Sequence, residues 1–278
     1  MNELSERPIG IFDSGAGGLT VVKAVTEELP RERIIYFGDT ARVPYGIKSG
    51  DTIRRYALED VHFLTRFEPK MIIVACNTAS ATALAYLAQH VEVPLVGVIE
   101  PGAVAAAGAS RSGVIGVAAT EATIESRAYD EALARLRPGV RVVSKACPLF
   151  VPMVEEGRVT GEVAELVAAE YLSGLSDLGA DVLVLGCTHY PVLRAIVVSV
   201  VGPGLHVVDS AQETARAAAR LLEQRGLART AGEGSAAFYA SDNPGRFRRL
   251  AGLFLGRLPC SVTLVEPEEF FSAAARHD

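Results

Sequence analysis

The chain has 278 residues, 49% of them hydrophobic, and a formal charge of −6, which is enough apolar matter for one large or two modest cores. Its Arg and Lys are scattered, which argues against nucleic acid as the main partner, and no stretch reaches the ~18 apolar residues that a membrane span requires. The opening MNELSERPIG carries acidic residues and no apolar signal region, so a cytoplasmic protein handling a small molecule is expected.

Short apolar runs read as buried strands at Pro8–Phe12, Arg33–Phe37, Met71–Ala75, Pro94–Val98, Gly113–Val117, Val140–Ser144, Asp181–Leu185 and His206–Val208. Helix-length segments lie between them: Leu19–Leu29, Thr52–Phe67, Ala79–Gln89, Thr123–Leu136, Gly161–Ser173, Pro191–Val200 and Ala211–Gln224. This alternation predicts α/β layers with mostly parallel sheets. Ligands of such sheets bind beyond the carboxyl ends of the strands, so the residues following each run are the ones to inspect. Gly226–Ala236, rich in Gly, Ala and Ser, reads as a loose surface connection.

The chain carries an internal echo. Met71–Leu84 (MIIVACNTASATAL) aligns with Val182–Ala195 (VLVLGCTHYPVLRA), each an apolar strand, a cysteine and a helix start, and Pro8–Gly18 has a fainter counterpart in Ser112–Ala122 at a similar offset. Two related α/β halves are expected, residues 1–99 plus 210–278 forming one lobe and residues 100–209 the other.

Four cysteines without a C-x-x-C pair make neither a disulfide framework nor a zinc site. Cys76 follows a strand and precedes Asn77, Thr78 and Ser80, good helix-capping residues. A thiol there meets free N–H groups and the positive end of a helix, which favour its thiolate. Cys187 has a matching setting before Thr188, His189 and Pro191. Either cysteine alone suits a small buried hydrophobe, but two at equivalent strand ends of facing lobes would flank one ligand. Such a pair suits racemisation, in which one base removes a proton from one face while an acid delivers one to the other. Cys147 and Cys260 lack that context and read as structural.

Asp13 ends the first strand before Ser14-Gly15-Ala16-Gly17-Gly18, whose N–H groups suit an anion nest. The spacing matches no nucleotide-binding loop, and Asp13 serves either as a helix cap or as a base-orienting group. His189 is either a proton partner of Cys187 or a capping side chain. The polar loop Gly38–Gly46 places Tyr45 and Gly46 either over a substrate or in a purely conformational Pro-Tyr-Gly turn. None of the four lysines, Lys23, Lys48, Lys70 and Lys145, sits at a strand end beside a Gly-rich phosphate loop, which weakens a pyridoxal-phosphate reading.

The ordered motifs FDSGAGGL, GDTARVPYG, VACNTASA, ACPLFVPMVEEG and LGCTHYP, from about Pro8 to Gln224, resemble the glutamate racemases of the aspartate/glutamate racemase superfamily. The resemblance implies two pseudo-symmetric three-layer α/β domains with the active site in the cleft between them. It also implies no pyridoxal phosphate or other cofactor, no metal, and interconversion of L- and D-glutamate for peptidoglycan. Carried over by position, it makes Cys76 the base for D-glutamate and Cys187 the base for L-glutamate, assisted by Asp13 and His189. Substrate contacts would come from Asp13, Ser14, Tyr45, Gly46, Asn77, Thr78, Thr188 and His189, with Glu155 matching an acidic position beside Glu156. Met153 stands where many relatives carry Leu, a near-isosteric change. Beyond Leu227 the likeness fades, and nothing is carried over from the tail. A homodimer is expected from the same likeness and from the prevalence of twofold assemblies. Rival readings are an aspartate or other amino-acid racemase, a Cys187–His189 hydrolase or transferase, and a two-lobed amino-acid-binding protein without catalysis.

Overall fold

A computed structural model describes residues 3–259, 261–266 and 269 of the chain; Cys260 lies outside the described residues. The first half alternates β1 (Ile9–Asp13), α1 (Leu19–Glu28), β2 (Arg33–Gly38), α2 (Gly50–Thr65), β3 (Met71–Val74), α3 (Asn77–Leu87), β4 (Leu95–Gly97) and α4 (Ile99–Ala109). The second runs β5 (Val114–Ala119), α5 (Glu121–Glu125), α6 (Ala128–Leu136), β6 (Arg141–Ala146), α7 (Phe150–Glu155), α8 (Glu162–Leu172), β7 (Val182–Gly186), α9 (Arg194–Val201) and β8 (His206–Asp209). The chain closes with α10 (Ser210–Gln224), β9 (Ser235–Ala240), α11 (Pro244–Leu255) and the short β10 (Thr263–Leu264).

Every strand pair is parallel. One sheet has the order β10-β9-β2-β1-β3-β4 and the other β6-β5-β7-β8, so the order 2-1-3-4 of the first four strands is repeated by the next four. The register sharpens the sequence echo: Ile9 pairs with Met71 and Ile115 with Val182. The two cysteine strands therefore align as expected, whereas the fainter echo is displaced by two residues, Ile9 matching Ile115 rather than Gly113. In each sheet the path from the first strand reverses direction between β1 and β3, or between β5 and β7, and that reversal opens a crevice at the carboxyl ends.

Central strands buried on both faces explain the unbroken apolar runs: all five residues of β1 and of β7 are buried. Phe12, Phe37, Ile72 and Val74 pack with Ile53, Val61 and Leu64 of α2 and Ala79 and Ala83 of α3. On the opposite face Ile9 and Ile11 meet α1, α10 and α11. The second sheet is sandwiched likewise, Ile115 and Val184 toward α4 and α6, Leu183 and Leu185 toward α8 and α9. One apolar cluster passes without a break from Ile9 and Val25 through Ala215 and Ala218 to Leu183 and Leu185. At ~1.5–3 kcal/mol for each large apolar side chain buried, that shared core ties the two sheets together.

Three expectations are corrected. Ser235 and Ala236, read as part of a surface connection, begin β9 and pair with Arg33 and Ile34; the alanines hide the strand because its burial comes from β2 and α11. The single helix over Thr123–Leu136 is two, interrupted at Arg127, whose φ of 56° no α-helix accommodates. The helix expected from Pro191 begins as a 3₁₀ turn, Tyr190–Leu193, before α9.

Candidate active site

The crevices of the two sheets face each other across a cavity of about 350 Å³, at the small end of the range for ligand sites. Cys76 enters from the end of β3 and Cys187 from the end of β7, and both line it. Ser14, Tyr45, Gly46, Asn77 and Thr78 come from the first lobe, and Thr120, Glu155, Thr188 and His189 from the second. Asp13 is fully buried and stands behind the wall rather than in it.

The two thiols are held differently. Cys76 is the N-cap of α3, its sulfur accepting from the Ala79 N–H at 3.5 Å and donating to the Ser14 hydroxyl at 3.6 Å. The helix start was expected to favour the thiolate. Instead burial, reinforced by the Asp13 carboxyl, pushes the thiol up to about 12, and the Ala79 and Ser14 contacts only partly offset this. Cys76 therefore rests as a thiol.

Cys187 lies 3.9 Å from Nδ1 of His189, whose Nε2 is 3.2 Å from Oε1 of Glu155. Burial alone would favour neutral imidazole, but Cys187, Glu155 and Asp13 raise the His189 pKa to about 10, and His189 is an imidazolium at neutral pH. Glu155 is kept ionised by that hydrogen bond and, against the cost of burial, by Arg246, 3.1 Å from Oε2. Both carboxylate oxygens are thus engaged, which distinguishes Glu155 from the exposed Glu156, 3.3 Å from the same guanidinium. One lobe presents a protonated sulfur and the other a sulfur beside a fixed positive charge.

The Gly-rich turn works by close approach. Oδ2 of Asp13 accepts from the N–H groups of Gly15 and Gly18, each at 3.0 Å, so the expected nest closes on the protein's own carboxylate. The other oxygen is buried without a hydrogen-bond partner, and burial raises the Asp13 pKa against the pull of His189 and those N–H groups. A Cβ on Gly17 would come within 2.5 Å of Cε1 of His189; only hydrogen lets α1 approach the opposite lobe there. Thr20 bridges the same gap, its hydroxyl donating to the Thr188 carbonyl at 3.2 Å.

Tyr45 lines the cavity, but its hydroxyl points away, donating toward Asp39 and Asp60. Those acids, with Glu59, surround Arg42, so the loop that carries Tyr45 and Gly46 is anchored from beneath. Asn77 lends Oδ1 to the Tyr129 hydroxyl at 2.9 Å, while its buried Nδ2 has no partner. Thr78 meets Thr120 at 3.0 Å across the lobes. Cys147 is fully buried in the second lobe's core and raised to about 12 by burial, in keeping with a packing role. Sequence reasoning missed Arg246, Thr120 and Tyr129. Arg246 had a detectable signal, the Asn243-Pro244 helix start of α11, where Asn243 caps the Arg246 N–H at 3.0 Å. Among the described residues no group of three or more His, Cys, Asp or Glu is arranged to hold a metal ion, and no helix is long and apolar enough to cross a membrane.

Residues 9–218 match the model of the Asp/Glu/Hydantoin racemase family. The chain belongs to that family. It is 53% identical to a glutamate racemase of Geobacter metallireducens over 251 residues, 90% of this chain and 93% of the relative. Among racemase structures, the glutamate racemase of Francisella tularensis in complex with D-glutamate superposes with a TM-score of 0.88 at 40% identity, covering 94% of this chain and 98% of that one. That of Thermus thermophilus, in complex with β-chloro-D-alanine, gives 0.86 at 46% identity, with 95% and 99% covered. Within the racemase family the chain thus falls among the glutamate racemases, which are isomerases.

Proposed function

We propose that the chain interconverts L- and D-glutamate by a two-base mechanism without a cofactor, supplying D-glutamate for peptidoglycan. The observation that carries this is the pair of cysteines, one from each sheet, lining one cavity of about 350 Å³. A substrate whose α-carbon lies between the sulfurs loses its proton to one and receives a proton from the other on the opposite face. Cys187, beside the His189 imidazolium, takes the proton of L-glutamate, and Cys76, held as a thiol, supplies one to make the D enantiomer; in reverse, Cys76 takes the proton and Cys187 returns one. Asp13 and His189 assist their neighbouring cysteines. Charge developing on the carboxylate meets donors placed in advance in a water-poor site: Ser14, Asn77, Thr78 and Thr188. Tyr45 and Gly46 close the wall, and Glu155 fixes His189.

The lobes are residues 1–99 plus 210–278 and residues 100–209, working as a homodimer in the cytoplasm. A Cys187–His189–Glu155 hydrolase is disfavoured because Cys76 would then have no task in a cavity it helps to form. Incubating the protein with L-glutamate in D₂O without added cofactor tests the reading, with optical rotation and α-deuterium followed together. Both change in the wild type, and Cys76→Ser and Cys187→Ser each slow racemisation by ~10²–10⁴-fold, the usual contribution of a positioned acid or base. Near-normal racemisation in either variant would refute the two-base scheme.

A further inference from the structure

Tyr129 is a large side chain buried between the two cysteine-bearing strand ends, and none of the chemistry above uses it. It belongs to α6 of the second lobe and is 2% exposed, yet its hydroxyl donates to Asn77 of the first lobe, the residue next to Cys76. Its ring lies against Gly186, the residue next to Cys187, where a Cβ would meet Cε2 at 3.0 Å. Ser210, at the start of α10, lies beside the same hydroxyl: a Cβ on Gly102 would meet Cβ of Ser210 at 3.2 Å and the Tyr129 oxygen at 3.3 Å. Residues from α3, β7, α4 and α10 thus leave this ring one position.

An asparagine side chain is nearly symmetrical in shape, and its neighbours decide which end is oxygen and which is nitrogen. The Tyr129 hydroxyl gives its proton to Asn77, 2.9 Å away, and the amide receives it on Oδ1. The amide nitrogen is left over. It is buried without a partner, on a residue 3% exposed that lines the cavity.

We propose that Tyr129 is a positioning residue that acts through Asn77: its hydroxyl locks the amide so that the NH₂ group, not the carbonyl, is offered to a carboxylate of the substrate. The inference rests on the amino-acid racemase reading of the cavity. A flipped amide would present an acceptor to an anion, so the lock sets affinity for the carboxylate. It also spans the lobes, holding the residue after one sulfur in register with the residue before the other.

The test combines a mutant cycle with a spectroscopic signature. In Tyr129→Phe the ring and its packing remain and the donor is lost; KM for glutamate rises about fivefold to tenfold, the worth of roughly one hydrogen bond, while kcat changes much less. In an Asn77→Ala background the same Tyr129→Phe change has no further effect on KM. Equal effects in both backgrounds, or an unchanged KM in Tyr129→Phe alone, would overturn the proposal, since a merely structural role is indifferent to Asn77. The side-chain amide signals of Asn77, assigned by their loss in Asn77→Ala, show one sharp pair in the ¹⁵N spectrum of the wild type and broaden or double in Tyr129→Phe; an unaltered pair also overturns it. The amide signals need no turnover, so a wild-type protein inactive on glutamate would defeat the functional reading and leave this test standing.

Discussion

Replacing Gly17 by alanine adds a single methyl group where α1 closely approaches His189 and Thr188. That carbon would stand 2.5 Å from Cε1 of His189, where ordinary contact begins at 3.4 Å. His189 and Thr188 must therefore retreat by close to 1 Å, or α1 must. Overpacking of this kind costs about 1–3 kcal/mol of stability, and a displacement of ~1 Å at a proton-transferring group costs on the order of 10²-fold in rate. Coupled-enzyme assays in both directions should show kcat/KM reduced about 100-fold. The loss must be equal from L- and D-glutamate, because the enantiomers have an equilibrium constant of one and the ratio of the two kcat/KM values is fixed by it. Gly108→Ala is the matched control, since a methyl group there meets nothing within 4 Å and α4 should gain ~0.5–1 kcal/mol. Activity of Gly17→Ala within threefold of wild type would refute the claim that this contact positions His189.

Glu155→Gln removes the anion that helps hold His189 as a cation, so the imidazolium becomes less favourable and its pKa falls from about 10. The alkaline limb of the kcat/KM profile, which reports the free enzyme, accordingly moves to lower pH. Because that pKa is raised above the unfolded value of 6.5, the stabilisation is full below 6.5 and is lost as pH rises through about 10; urea titrations across that window read it. Arg42→Met leaves Asp39, Glu59 and Asp60 clustered without their shared cation. Stranding buried charge costs about 3–5 kcal/mol, measurable by urea unfolding. Asp181 accepts from Ser110, Arg111 and Ser112, contacts that hold its carboxyl below the ordinary 3.8. Asp181→Asn turns an amide toward those donors and destabilises the fold at neutral pH, and the difference from wild type shrinks as pH falls below 3.8.

The strands with continuous apolar runs, such as MIIV at Met71–Val74 and VLVL at Val182–Leu185, were legible because burial on both faces writes itself into local composition. Ser235–Ala240 was not, since alanine and serine earn their place there through the neighbouring strand β2. The cysteines could be found because the chain repeats a strand–Cys–helix phrase. Their protonation could not: Cys76 has the helix start that sequence foretold, but burial and Asp13 outweigh it, and burial is a property of the assembled lobes. Arg246 and Tyr129 escaped for the same reason, each meeting its partner, Glu155 or Asn77, across a long loop of chain.

The twice-used strand order bears on how such an enzyme diverges. An assembly of two identical subunits would be bound to change both of its bases with every mutation. With the copies joined in one polypeptide, each can drift alone: one sulfur now neighbours an acid and a serine, the other an imidazole. A mirror-image reaction is thereby served by halves that are alike in scaffold and free to be unlike in chemistry.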